Sequence, residues 1–294
     1  MTKQQAKTLI TLNNADTSLH KCRFFNKVFV KIKQICKEIM SFHLNFLYRD
    51  QKTIFSKILR CRGISELALR IKVNHLFTLK QIEVYFDTFL GEICLKICTK
   101  KGSKEEAIAI LQPIATEIRK ATQLDCYGHD YDTLMKVVAK LLVRNKDTIS
   151  VAESCTGGGL GAFLSSFPGS SNYFAGGVIA YNNQVKISLL KVSKQTLDIH
   201  GAVSSNTAKE MALGIKNKLG TSWGLSITGI AGPEGGTLTK PVGLVYIGIA
   251  DPKNKASSIK CFFGHHKRNC IRSLSEYSAL DQLRRSLLTK AIMY

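Results

Sequence analysis

A serine hydroxyl is a weak nucleophile until a base takes its proton, so a chain that uses one must hold both groups in place. One stretch has the local pattern of the nucleophile. In Ala152-Glu153-Ser154-Cys155-Thr156-Gly157-Gly158-Gly159 a short apolar run ends, a serine comes next, and a turn of small residues opens a helix-like segment. The Ser154 side chain then projects from the turn. The N–H groups at the start of the next helix suit a developing oxyanion or a bound phosphate, and Gly157 with its neighbours permits close backbone approach. Glu153 and Thr156 either hydrogen-bond a substrate or brace the turn. An ordinary capped helix start has the same spacing, with Ser154 as the cap. Cys155 is a rival nucleophile, since a thiolate at a helix N-terminus is activated. Of two neighbours on such a turn, only one faces a pocket well.

Further along, Gly176-Gly-Val-Ile-Ala-Tyr-Asn-Asn-Gln-Val-Lys186 reads as a strand ending at Tyr181, with Lys186 in the first turn of the next element. A buried lysine whose pKa is lowered by desolvation serves as a base; most lysines are solvated instead. Thr228-Gly229-Ile-Ala-Gly232-Pro-Glu-Gly-Gly-Thr-Leu-Thr-Lys-Pro-Val-Gly243 is a long loop between two strands, and its length and punctuation suit the wall of a binding crevice. His265, His266, Lys267 and Arg268, with Arg272 just beyond, open the last helix, where they meet a substrate phosphate or form a solvated basic face. Adjacent histidines without carboxylate partners are a poor metal pattern. Cys94 and Cys98 fall on an alternating strand, about 13 Å apart, too far for one zinc.

The elements that must position these groups alternate in type. Residues 148–152, 177–181, 223–228, 242–250 and 258–263 read as strands. Helices are expected over 134–142, 158–167, 184–190, 269–288, and from a Ser204 cap to a Gly220 stop. Helices alternating with buried strands give an α/β fold, a three-layer sandwich with a mainly parallel or mixed sheet flanked by helices. Upstream, 53–60 and 91–99 read as strands, and 65–76 and 103–122 as helices, a small α+β linker domain. The expected division is 1–50, a basic segment of uncertain fold with a helix-leaning stretch at 28–46; 51–125, the linker domain; and 126–294, the α/β domain.

Composition narrows the class. Hydrophobic residues make up 45% and charged residues 21%, enough for a packed core and against general disorder. The formal net charge is +21, and residues 1–100 hold 18 Lys+Arg against 7 Asp+Glu. Such a field attracts nucleic acid, anionic lipid or an anionic small substrate. A bias toward Lys, Ile and Asn produces the same excess, and no basic cluster coincides with a nucleic-acid motif. Nine cysteines at scattered spacings, without a CxxC pair, argue for reduced thiols and a cytoplasmic setting, an organelle stroma being the minor alternative. No run of 18 apolar residues marks a transmembrane helix, so no membrane role is expected.

Taken together, "AESCTGG", "PGSSNYFAGGVIAYNNQVK", "HGAVS", "TGIAGPEGGTLTKPVG" and the closing "RNCIR…ALDQLRR" resemble the CinA family of competence-damage-inducible proteins, over about residues 130–288. The C-terminal domain of that family is a nicotinamide mononucleotide amidohydrolase. The resemblance implies a nucleotide substrate, no metal or organic cofactor, and a homo-oligomer. Ser154 would attack the carboxamide carbon, and Lys186 would take the serine proton and later donate to the leaving ammonia. Tyr181 would position Lys186 or the substrate. Glu153, Thr156, Gly157, Thr228, Gly229 and Gly232 would line the substrate, and Arg268 or Arg272 would meet its phosphate. Residues 53–122 resemble the family's linker region more loosely; where a Pro-containing segment is expected, this chain has Gln81-Ile-Glu-Val-Tyr-Phe86. The family's N-terminal molybdopterin-binding-like domain, with its Gly-rich loop, has no counterpart in 1–50. The expectation is a truncated or reduced family member, and the sequence does not decide whether any pyrophosphatase activity remains. Beside the amidohydrolase stands a different class: a degenerate binding protein acting through its basic surface.

Overall fold

In a computed structural model, the structure describes residues 54–100 and 102–292, with side chains as far as Thr289. The basic segment 1–50, its stretch 28–46, Cys22 and Cys36 lie outside the described residues. Phe55–Tyr294 form one compact unit that holds two sheets.

The first sheet is antiparallel, built on strand β1 (Phe55–Arg62). Helix α1 (Glu66–Lys72) comes next, capped by Ser65 and shorter than the expected 65–76, because the chain tightens into a 3₁₀ turn over Asn74–Thr78. Strand β2 (Glu83–Phe89) is not among the expected elements. It is the edge strand that pairs with β3 (Glu92–Thr99), through a tight turn at Leu90 and Gly91, both at positive φ. Helix α2 (Lys104–Thr122) starts at Ser103, whose hydroxyl accepts from Glu106 N–H, with Glu105 and Glu106 in its first turn. It packs Leu111, Ile114, Ala115 and Ile118 against Leu59, Cys61, Leu95 and Ile97. Strand β4 (Cys126–His129) closes the order β2-β3-β1-β4; four residues are too few to show a period in sequence.

The second sheet has the order β6-β5-β7-β8-β9. Strands β5 (Ile149–Glu153), β6 (Phe174–Ile179) and β7 (Trp223–Gly229) are parallel; β8 (Leu244–Ala250) and β9 (Ala256–Phe262) run antiparallel to their neighbours. Helices α3 (Leu134–Asn145), α4 (Gly159–Ser165) and α8 (Arg268–Ile292) cover one face, around Ile149, Val151, Leu225, Ile227 and Val245. Helices α5 (Asn183–Leu190), α6 (Lys194–His200) and α7 (Ser205–Leu219) cover the other, where Ala152, Ala180, Leu190, Met211 and Ile215 meet. The expected three-layer α/β sandwich with a mixed sheet is what forms. Helix α6 is an addition to the expected helices, because Leu197 is its only buried residue and no stripe marks it.

The α7 face explains two glycines. Gly224 and Gly248 lie on β7 and β8, and a Cβ on either would collide with the carbonyl of Ala212 or Ala208 in α7. Between them Ser226 Oγ donates to Ala208 O at 2.6 Å. Small residues thus let this helix lie almost on the sheet. The two sheets are joined through α8. Arg285 donates to Arg62 O at the end of β1 and to Asp125 beside β4, while its Nε is paired with Asp281. Arg284, 1% exposed, binds Asp281 and Leu124 O.

Candidate active site

The helix after β5 lies on one face of the sheet and the helix after β6 on the other. The carboxyl ends of β5 and β6 therefore lie where the winding reverses, the usual position of a ligand crevice in an open α/β sheet. Ser154 stands at the end of β5, and Tyr181 and Lys186 come after β6. The Ser154 N–H donates to Ile227 O at 2.9 Å, and Ala180 N–H donates to Glu153 O at 2.7 Å, so the start of the turn is tied to both neighbouring strands.

Residues 154–158 form a tight turn, with Gly157 and Gly158 at φ +59° and +100°, where a side chain would be strained. Glu153 is 1% exposed, and its carboxylate accepts from the N–H groups of Gly158, Leu160 and Gly161 at 3.0, 3.1 and 2.7 Å. The start of α4 is thereby consumed by the protein's own carboxylate. Of the two roles open to Glu153 in sequence, it braces the turn, and the helix start is not a vacant anion site. Gly157 N–H donates to Ser154 O. Among the described residues, the amides of Cys155 and Thr156 have no such acceptor.

Lys186 is 1% exposed, in the first turn of α5, whose start is capped by Asn182 Oδ1 accepting from Val185 N–H. Its Nζ lies 2.8 Å from Ala180 O, 3.2 Å from Tyr181 O and 3.3 Å from Ser154 Oγ. Burial disfavours the ammonium and lowers its pKa below the ordinary 10.5. Two of its partners are carbonyls, which only accept. The third is a hydroxyl, which also donates. A neutral amine satisfies all three: two N–H bonds to the carbonyls, and a lone pair toward the Ser154 O–H. Cys155 fares differently. The residue is 6% exposed and joins the apolar core, and burial pushes the thiol up to about 12. It stays a neutral thiol at neutral pH, and the hydroxyl that lies beside Lys186 Nζ is that of Ser154.

The other expected residues divide. Tyr181 meets Lys186 through its carbonyl; the side chain is 61% exposed, and its hydroxyl accepts from Arg268 Nη2 at 3.0 Å. Arg268 also donates to Gly232 O at 2.8 Å, drawing the long loop toward Tyr181 across the mouth of the crevice. Thr228 Oγ1 is turned away to Ala202 O at 2.7 Å, holding the "HGAVS" segment, and Gly229 is packed against Val245. Arg272 donates to Thr156 O at 2.6 Å and leaves its Nε buried without a partner, as is Thr156 Oγ1. His265, His266 and Lys267 stay exposed.

One group escaped sequence reasoning. Glu276, 7% exposed and one turn after Arg272 on α8, lies against Gly159. Burial first, and the nearby Glu153 charge second, raise its pKa to about 7, against the opposing pull of Arg272. The signal in sequence is the spacing of 268, 272 and 276, which puts three ionisable groups on one helix face.

The sequence and the fold have known counterparts. The family model of the CinA C-terminal domain matches residues 131–287. A CinA-like protein of Crocosphaera subtropica is 54% identical over 258 residues, 88% of this chain and 62% of that protein. One from Synechocystis is 52% identical over 236 residues, 80% of this chain and 57% of the relative. These alignments run beyond the 131–287 match into the region of the first sheet, and the chain spans about three fifths of the length of the relatives it matches. Among solved structures, the competence/damage inducible protein CihA from Agrobacterium tumefaciens superposes with a TM-score of 0.50 at 32% identity, covering 54% of this chain and 98% of that one. A CinA superfamily protein from Klebsiella pneumoniae gives 0.51 at 29% identity, covering 53% and 96%. With its mixed sheet, its Ser154 turn and the family match over 131–287, the chain belongs to the CinA family.

Proposed function

We propose that the chain hydrolyses the carboxamide of nicotinamide mononucleotide to nicotinic acid mononucleotide and ammonia. The observation that carries this reading is a fully buried lysine nitrogen 3.3 Å from the hydroxyl of a serine on a strand-end turn. Ser154 Oγ attacks the carboxamide carbon while its proton passes to neutral Lys186. The resulting ammonium gives that proton to the leaving nitrogen, which departs as ammonia and leaves an ester on Ser154. Water then attacks the ester, again with Lys186 as base, and releases the carboxylate. The amide of Thr156, which has no backbone acceptor among the described residues, is the candidate to stabilise the oxyanion. Arg268 and Arg272 supply positive charge at one side of the crevice for a phosphate.

A cytoplasmic setting belongs to the same proposal and rests on the thiol chemistry of the sequence; no described helix is long and apolar enough to cross a membrane. The test is ammonia release from nicotinamide mononucleotide by the purified chain and its Ser154→Ala and Lys186→Ala variants. Release by the wild type that collapses in both supports the serine/lysine hydrolase. A folded wild type that releases none turns attention to the binding-protein reading.

A further inference from the structure

Cys61 and Cys126 are register partners across the antiparallel pair β1–β4, just where the pairing shifts to pass Tyr127. Directly opposite residues in such a pair point to the same face, with Cα atoms about 4.5–5.5 Å apart. A disulfide accepts roughly 4.4–6.8 Å. The two side chains interact within one apolar cluster, the Arg119 charge on α2 acts on Cys126, and the Cys126 thiol donates to Gly128 O at 3.5 Å. Cys126 is half-buried, whereas Cys61 is wholly enclosed.

The pair is chemically unequal. The interaction with Cys61, with Arg119 behind it, lowers the pKa of Cys126. The same interaction and its burial raise that of Cys61. One sulfur is thus the accessible, thiolate-leaning partner, and the other an enclosed thiol in contact with it.

We propose that Cys61 and Cys126 form a redox pair that closes to a reversible cross-strand disulfide. With a peroxide as oxidant, the Cys126 thiolate attacks one oxygen and the O–O bond breaks. Cys126 becomes a sulfenic acid, and the departing hydroxide takes a proton to form water. Cys61 sulfur then attacks Cys126 sulfur, the S–O bond breaks, and a second water leaves. Two thiols and one hydrogen peroxide give one disulfide and two waters, and a dithiol reductant reverses the step. The link sits where Arg62 O and Asp125 both bind Arg285, so it fastens the strand edge on which α8 rests. A transient pair of this kind agrees with thiols that are otherwise reduced. The inference is independent of the amidohydrolase reading.

The test uses the full chain, reduced, exposed to hydrogen peroxide at neutral pH, quenched with N-ethylmaleimide and mapped by peptide mass spectrometry. The expected result is the loss of two alkylatable thiols, a linked Cys61–Cys126 peptide, and recovery of both thiols with dithiothreitol. In Cys61→Ser the sulfenic acid on Cys126 persists and is trapped by dimedone; Cys126→Ser forms no link. Should Cys61→Ser fail to fold, the half-buried Cys126→Ser decides alone. Equal alkylation of both cysteines before and after peroxide overturns the proposal, as does a Cys126→Ser variant that loses thiols as fast as the wild type.

Discussion

Lys186 Nζ has three neighbours, and two of them, the carbonyls of Ala180 and Tyr181, remain acceptors at any pH. What changes with pH is whether the nitrogen has a lone pair for Ser154. Because burial holds the lysine pKa below 10.5, the free-base fraction, and with it kcat/KM for ammonia release, rises with pH along a limb whose midpoint lies below that value. A pH–rate profile measures it, and a midpoint at or above 10.5 argues against Lys186 as base. Lys186→Arg should lose at least ~10³-fold in kcat, since a guanidinium keeps the charge but does not deprotonate. Cys155→Ala should stay within about tenfold of wild type, because its thiol is neutral and its role is packing.

Glu276 yields a prediction of opposite sign. Its folded pKa, about 7, lies above the ordinary 4.5, so between those values the folded state holds more protons than the unfolded one. The stabilising effect of the neutral carboxyl is complete below 4.5 and is lost as pH rises through about 7, by up to ~3 kcal/mol. Urea denaturation at pH 5 and pH 8 should show that decline in the wild type and not in Glu276→Gln. A difference between the two proteins that does not vary with pH would contradict it.

At the scale of elements, the turn that carries Ser154 depends on one carboxylate. Glu153 accepts from three N–H groups at the start of α4, and Glu153→Ala leaves them in a buried place without acceptors. The expected cost is about 3 kcal/mol or more by denaturant titration, with loss of activity beyond the loss of folded protein as Ser154 leaves its register. The packing of α7 is tight for a different reason. Gly248→Val would force the strand off the Ala208 carbonyl, and should destabilise by about 1–3 kcal/mol without altering the pH profile of the remaining activity.

Across the whole molecule, α8 is the shared element. Its first turns bring Arg268 to Tyr181, Arg272 to Thr156 and Glu276 against Gly159, and Arg284 and Arg285 near its far end hold the first sheet. Arg285→Ala removes the bond to Arg62 O and two ion pairs at once, so about 2 kcal/mol of stability should go. Hydrogen exchange should then quicken in β1 and β4 before it quickens in β5 and β7. Uniform acceleration across both sheets would mean that the junction is not where the coupling lies.

The sequence by itself determined the layered α/β class, the strands at 148–152 and 223–228, the Ser204 and Ser103 caps, and the serine and lysine that face one another. Periodicity and capping are local properties, and the family motifs carry their order with them. Strands β2 and β4 and helix α6 needed the fold, because an edge strand, a four-residue strand and a helix with one buried residue leave no period to read. So did the choice between roles. Only in three dimensions does Glu153 turn inward to cap α4 while Thr228 turns to Ala202. Only there does burial raise the Cys155 thiol and lower the Lys186 pKa, and only there do Cys61 and Cys126 come together from positions far apart in the chain. Desolvation and cross-strand register are set by neighbours remote in sequence, and no local pattern encodes them.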